Sequence, residues 1–175
     1  MITSTYFEEN ILFCFKDLIE EFGLQLTKPY ENGNTYLLIG KKCNIRFSYD
    51  RGETGCAFEP TAGQPFITGF QVNSICDFLH PYDRLSDMGT SDYYDQKLQL
   101  SWYASIIAKD LKNVLAGDFG WLNDYIKKKD MHGYLVALTF HLGNNHPIYK
   151  KFVSNDDRWR AEAEKYAFDN NFIQP

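Results

Sequence analysis

Catalysis needs a base, a nucleophile or a metal held in position and tuned, and the side chains able to supply one are few in this chain. Cys76 and His80 stand four residues apart and share one face if their segment is helical. That spacing suits a thiol activated by an imidazole, with Asp77 or Asp83 as the orienting acid. His141 and His146 are five residues apart across Gly143, Asn144 and Asn145, so they do not share a helical face and do not form an H-E-x-x-H zinc motif. The cysteines, Cys14, Cys43, Cys56 and Cys76, contain no C-x-x-C pair, which argues against a zinc ribbon or a dithiol redox site. Nucleophile-elbow, P-loop and dinucleotide glycine signatures are absent. Asp50, Glu53 and Glu59 are close in sequence, but Asp50 and Glu53 are sufficiently explained as turn residues. The residues point to a protein with no cofactor and no metal.

Charge narrows the partner class. The net charge of −5 is unevenly spread: residues 1–95 hold 7 basic and 14 acidic side chains, and residues 96–175 hold 11 and 9. An acidic front half argues against nucleic acid as direct ligand, because phosphate binding needs clustered Lys and Arg. It suits a basic protein partner. The N-terminal apolar stretch is broken by Glu8, Glu9, Lys16 and Asp17, unlike a secretory leader, and no apolar run approaches the ~20 residues that span a bilayer. Unpaired cysteines and these absences predict a cytosolic protein with reduced thiols, without membrane attachment. Cys43 and Cys56 could face each other across a hairpin, although buried free thiols account for them as well.

The elements that would position such residues can be read from periodicity. Ser4 or Thr5 caps a helix over about residues 6–22, ended by Gly23, with Phe7, Ile11, Leu12, Cys14, Phe15, Leu18, Ile19 and Phe22 on its apolar side. Phe13 is the misfit, projecting among Glu9, Lys16 and Asp17, either as a singly exposed or loop-covered ring or as an anchor for a partner. Residues 24–29 form an edge strand, Asn32-Gly33 a hairpin turn and residues 35–40 a second strand with the core run Tyr36-Leu37-Leu38-Ile39. Residues 43–59 form two strands, Ile45, Phe47 and Tyr49 alternating with Asn44, Arg46 and Ser48, joined by a turn at Asp50-Arg51-Gly52-Glu53. Residues 60–69 read as loop, and 70–76 as a short fifth strand or a helix entry.

The rest is helical. One long helix is expected over about 92–116, capped by Ser91 or Asp92, with Tyr94, Leu98, Trp102, Ile106, Leu111 and Val114 inward. A second covers 118–129, its Lys127-Lys128-Lys129 complementing a helix C-terminus. Residues 131–142 fit a buried helix or a buried strand, with helix preferred, and 156–170 form a last helix. The fold class is α+β: an N-terminal helix packed on a four- to five-stranded antiparallel meander sheet, with a helix-rich C-terminal half. The expected organisation is one domain over 1–175, with a sheet part at about 1–76 and a helical part at about 90–175.

The leading amphipathic helix, the meander and a strand ending Phe47-Ser48-Tyr49-Asp50-Arg51-Gly52 resemble immunity proteins of bacterial polymorphic-toxin and contact-dependent inhibition systems, over roughly residues 6–60. The resemblance implies a small acidic cytosolic protein that plugs a cognate toxin domain, a basic nuclease among the possible targets, and transfers no particular site residues. The surface that fits this role carries Asp77, Asp83, Asp87, Asp92 and Asp95 with Tyr82, Tyr93 and Tyr94 interleaved, and Phe13 as a further anchor. Helix-capping aspartates on a solvated loop explain part of that pattern. Two other classes remain: a small hydrolase or transferase built on Cys76 and His80, and a non-catalytic adaptor or structural subunit.

Overall fold

The structure is a computed structural model, and it describes residues 4–27, 35–50, 52–62, 64–81 and 95–174. The described residues gather into two compact units: Met1–Ala62 with Gly69–Asp118, and Gly63–Thr68 with Phe119–Pro175. The helical stretch over residues 96–116 thus belongs with the sheet.

The first unit is α+β. Helix α1 (Ser4–Cys14) and helix α2 (Lys16–Phe22) follow one another with a break at Phe15, where ψ is 10°. The expected single helix is therefore kinked, although Phe15 N–H still donates to Ile11 O and Ile19 N–H to Phe15 O. Gly23 ends α2 at φ 62°, the left-handed conformation that suits glycine. The strands β1 (Gln25–Thr27), β2 (Thr35–Ile39), β3 (Cys43–Asp50), β4 (Glu53–Pro60) and β5 (Phe70–Gln71) form one antiparallel sheet in the order β1-β2-β3-β4-β5. Within β2, Tyr36 and Leu38 are buried while Ile39 is exposed, so the apolar run splits between the two faces as strand geometry requires. The Asn-Gly hairpin turn and Pro29 lie outside the described residues.

Helix α1 covers one face of the sheet. Phe7 meets Tyr36 edge-on at 5.2 Å and Tyr49 at 5.5 Å between centroids, and Phe15 meets Phe47 edge-on at 4.8 Å. Such pairs add ~1 kcal/mol each beyond the area they bury. Leu12, expected in this core, is instead exposed; the buried stripe is Phe7, Ile11, Phe15 and Leu18.

Helix α3 (Val72–Leu79) follows β5 directly, so residues 70–79 are a strand and then a helix. Helix α4 (Gln96–Asp110) begins at Asp95, whose carboxylate accepts from the N–H groups of Lys97 and Leu98, and it breaks at Leu111 before helix α5 (Lys112–Ala116). The expected long helix from 92 with Leu98 inward is thus corrected. Leu98 is exposed, and the buried stripe includes Gln96, Gln99, Leu100, Tyr103 and Ile107. Two of those five are glutamines, which an apolar count passes over.

The second unit is helical: α6 (Leu122–Tyr125), a π-helical turn (Ile126–Asp130), α7 (Met131–Leu142), α8 (Pro147–Val153) and α9 (Arg158–Asp169). The lysines 127–129 lie in the π turn that leads into α7, not at the helix C-terminus they were expected to complement; Lys128 and Lys129 are exposed. Residues 131–142 are helical, with Tyr134, Leu135 and Leu138 buried. Phe66, in the segment read as plain loop, belongs to this unit and packs at 5.0 Å from Tyr134 and 5.2 Å from His141.

Candidate functional site

The proposed partner residues are distributed as follows. Tyr82, Asp83, Asp87, Asp92, Tyr93 and Tyr94 lie outside the described residues. Asp77 is exposed on α3. Asp95 is exposed and caps α4, its Oδ1 2.9 Å from Lys97 N and 3.1 Å from Leu98 N. Phe13 is 67% exposed on α1, and Lys97 Nζ stands 3.9 Å from the centre of its ring. Phe13 and the end of the acidic segment, over eighty residues apart in sequence, therefore meet at one place. The register between α1 and α4 is held by Asn10 Nδ2 donating to Gln96 Oε1 at 3.0 Å and by the Cys14 thiol 3.2 Å from the Ser101 hydroxyl.

Lys97 was not among the residues the sequence singled out. Its signal was available: it occupies the first turn of a helix whose cap is Asp95. What the sequence lacked was the pairing of α1 with α4.

Cys76 and His80 do fall one helical turn apart, as the spacing predicted. Cys76, however, is 1% exposed, and His80 closes the helix with its Nε2 3.3 Å from the carbonyl oxygen of Asp110. A thiol in that position has no open approach for a substrate. Cys43 and Cys56 are also buried and free, and the register sets Cys43 opposite Pro60 and Cys56 opposite Phe47, so they do not face each other. Burial pushes the Cys43 thiol up to about 12 and the Cys56 thiol well above its ordinary range, which keeps both protonated and unreactive.

A second feature lies on the sheet face opposite α1. A cleft of about 440 Å³ is lined there by Thr35, Arg46, Ser48, Gly55, Glu59 and Gln71, together with Cys56 and Ala57. Strand alternation assembles it: Thr35 pairs with Ser48, Ser48 with Gly55, Arg46 with Ala57 and Ala57 with Gln71. Arg46 Nη1 is 3.2 Å from Glu59 Oε1. Gly69 makes room for this guanidinium, since a Cβ there would collide with Arg46 Nη2. The pair neutralises itself, and no imidazole or amine stands in the lining beside Ser48 or Thr35 to act as a base. The cleft offers hydrogen bonds without a nucleophile–base arrangement.

Among the described residues, no group of three or more His, Cys, Asp or Glu is placed to hold a metal ion, and no helix is long and apolar enough to cross a membrane. Comparison with family models, with curated proteins and with solved structures returned no match.

Proposed function

We propose that this chain is a cytoplasmic toxin-neutralising immunity protein, which binds and blocks a basic bacterial toxin domain without itself catalysing a reaction. The observation that carries this reading is the exposed Phe13 ring beside the start of α4. An exposed aromatic beside the helix that Asp95 caps, in a chain whose residues 77–95 are rich in acids, supports binding to a cationic protein surface, in which charge speeds the encounter and the ring anchors the complex. The burial of Cys76 weighs against the competing thiol-enzyme reading.

The test is to sequence the neighbouring reading frame, co-express this chain with the toxin C-terminal domain the reading expects there, and measure cell survival and the association rate of the purified pair. Survival is expected. Replacing Asp83, Asp87 and Asp92 together with Asn should slow association about tenfold in low salt and flatten its salt dependence. An unchanged rate in low salt overturns the acidic surface, and loss of survival in the wild type overturns the function. Cys76→Ser should leave protection intact; a lost turnover with no protective effect would establish the enzyme instead.

A further inference from the structure

We infer that Phe13 with Glu9 and Asp17 forms a seat for an arginine side chain of a basic protein partner, and that Lys97 occupies this seat in the free chain. The inference rests on the partner being a protein, as proposed above, and adds the chemistry by which it is held.

Phe13 is exposed on α1, and its ring already binds a cation: Lys97 Nζ stands 3.9 Å from the centroid. Glu9 stands four residues before Phe13, one turn back along α1, and Asp17 four residues after it, past the break at Phe15 in the first turn of α2; both are exposed. Neither is in an ion pair among the described residues. Lys16, the nearest cation on the same helices, is turned to Glu20 at 3.9 Å. The stripe is thus acid, aromatic, acid. A planar guanidinium can stack on such a ring while its N–H groups reach a carboxylate beside it; a lysine ammonium cannot do both in one plane. The Asn10–Gln96 hydrogen bond and the Cys14–Ser101 contact hold α4 against α1, so Lys97 stays within reach of the ring. Lys97 is itself exposed, and its amine can be released to water when a better cation arrives. It keeps the aromatic face covered until then.

Nona-arginine, nona-lysine and nona-citrulline peptides serve as probes against the full chain in low salt, with affinity read by titration calorimetry and the fold checked by circular dichroism. Nona-arginine should bind about tenfold more tightly than nona-lysine, and nona-citrulline should not bind. Phe13→Leu keeps an apolar side chain at an exposed position and should weaken nona-arginine about tenfold. Lys97→Gln should tighten it severalfold by emptying the seat. Glu9→Gln with Asp17→Asn should weaken it and reduce its salt dependence. Equal affinity for wild type and Phe13→Leu overturns the seat, as does weaker binding by Lys97→Gln. These readouts are independent of any toxin. Protection of cells together with Phe13-independent binding would sink the seat alone; Phe13-dependent binding without protection would sink the immunity reading alone.

Discussion

Tyr134 illustrates how one buried polar atom ties stability to pH. Its side chain is fully buried in the helical unit, its ring lies 5.0 Å from Phe66, and its hydroxyl donates to Phe172 O at 3.2 Å. An ionised phenolate there would have to shed its water, so burial pushes this group up to about 12. The unfolded chain titrates at about 10. Between those values the folded state holds the proton that the unfolded state has lost, and stability therefore falls as pH rises through the window; below pH ~10 the contribution is complete. Tyr134→Phe removes the hydrogen bond and the titration together. It should cost about 1 kcal/mol at neutral pH, measured by urea unfolding, and should flatten the decline above pH ~10. A mutant whose alkaline decline matches that of the wild type would show that another group controls it.

At the scale of elements, the edge of β4 shows why local sequence reading reached only part of the structure. Strand β5 is two residues long and pairs with Ala57 and Phe58, so among the described residues no strand lies along the start of β4 on the side away from β3. Gln99 from α4 takes that place. Its Oε1 accepts from Thr54 N–H at 2.7 Å, and its Nε2 donates to Gly52 O at 3.0 Å, so one side-chain amide replaces a missing peptide. Gln99→Leu should cost about 2 to 3 kcal/mol in urea unfolding, because a buried N–H loses its acceptor. Gln99→Glu should be destabilised at neutral pH and recover on acidification: the carboxylate opposes the Gly52 carbonyl until protonated, so its folded pKa is raised and stability is lost as pH rises. Equal stability of Gln99→Leu and wild type would remove the edge-pairing role.

The same residue marks a limit of legibility. The β3–β4 hairpin, the meander and the Phe7, Ile11, Phe15, Leu18 stripe follow from periods of two and about 3.6, which are local properties. Gln99 and Gln96 are buried because of what α4 packs against, and polarity conceals such positions from a hydrophobic count. Phe66 escaped notice for a related reason: its partners, Tyr134 and Phe172, are long-range neighbours, and the Gly, Gln and Pro around it read as loop. Phe13 was visible as a break in its helix's pattern. The cation over its ring was not, because Lys97 reaches it only through the pairing of two distant helices.

On the scale of the whole molecule, charge and core divide along the same line. The sheet-bearing unit carries ten basic and sixteen acidic side chains, and the helical unit eight and seven, so the field that would attract a basic partner belongs to the unit bearing Phe13. Each unit also has its own core. Phe15, Tyr36, Ile45, Phe47 and Phe58 are buried in the first, and Tyr134, Leu135, Leu138, Ile148 and Ala163 in the second. A separate hydrophobic core is the condition for separate cooperative unfolding. The tryptophans supply a reporter for each: Trp102 lies in α4 of the first unit, while Trp121 and Trp159 lie in the second. Trp121→Phe with Trp159→Phe leaves only Trp102, and Trp102→Phe with Trp121→Phe leaves only Trp159. Adding Leu138→Ala, a fully buried deletion costing about 2 to 5 kcal/mol, should lower the urea midpoint seen by Trp159 and leave that seen by Trp102 in place. Phe47→Leu should do the reverse. Midpoints that move together in both backgrounds would mean that the cores unfold as one, and that damage to the helical unit would carry over to the surface around Phe13.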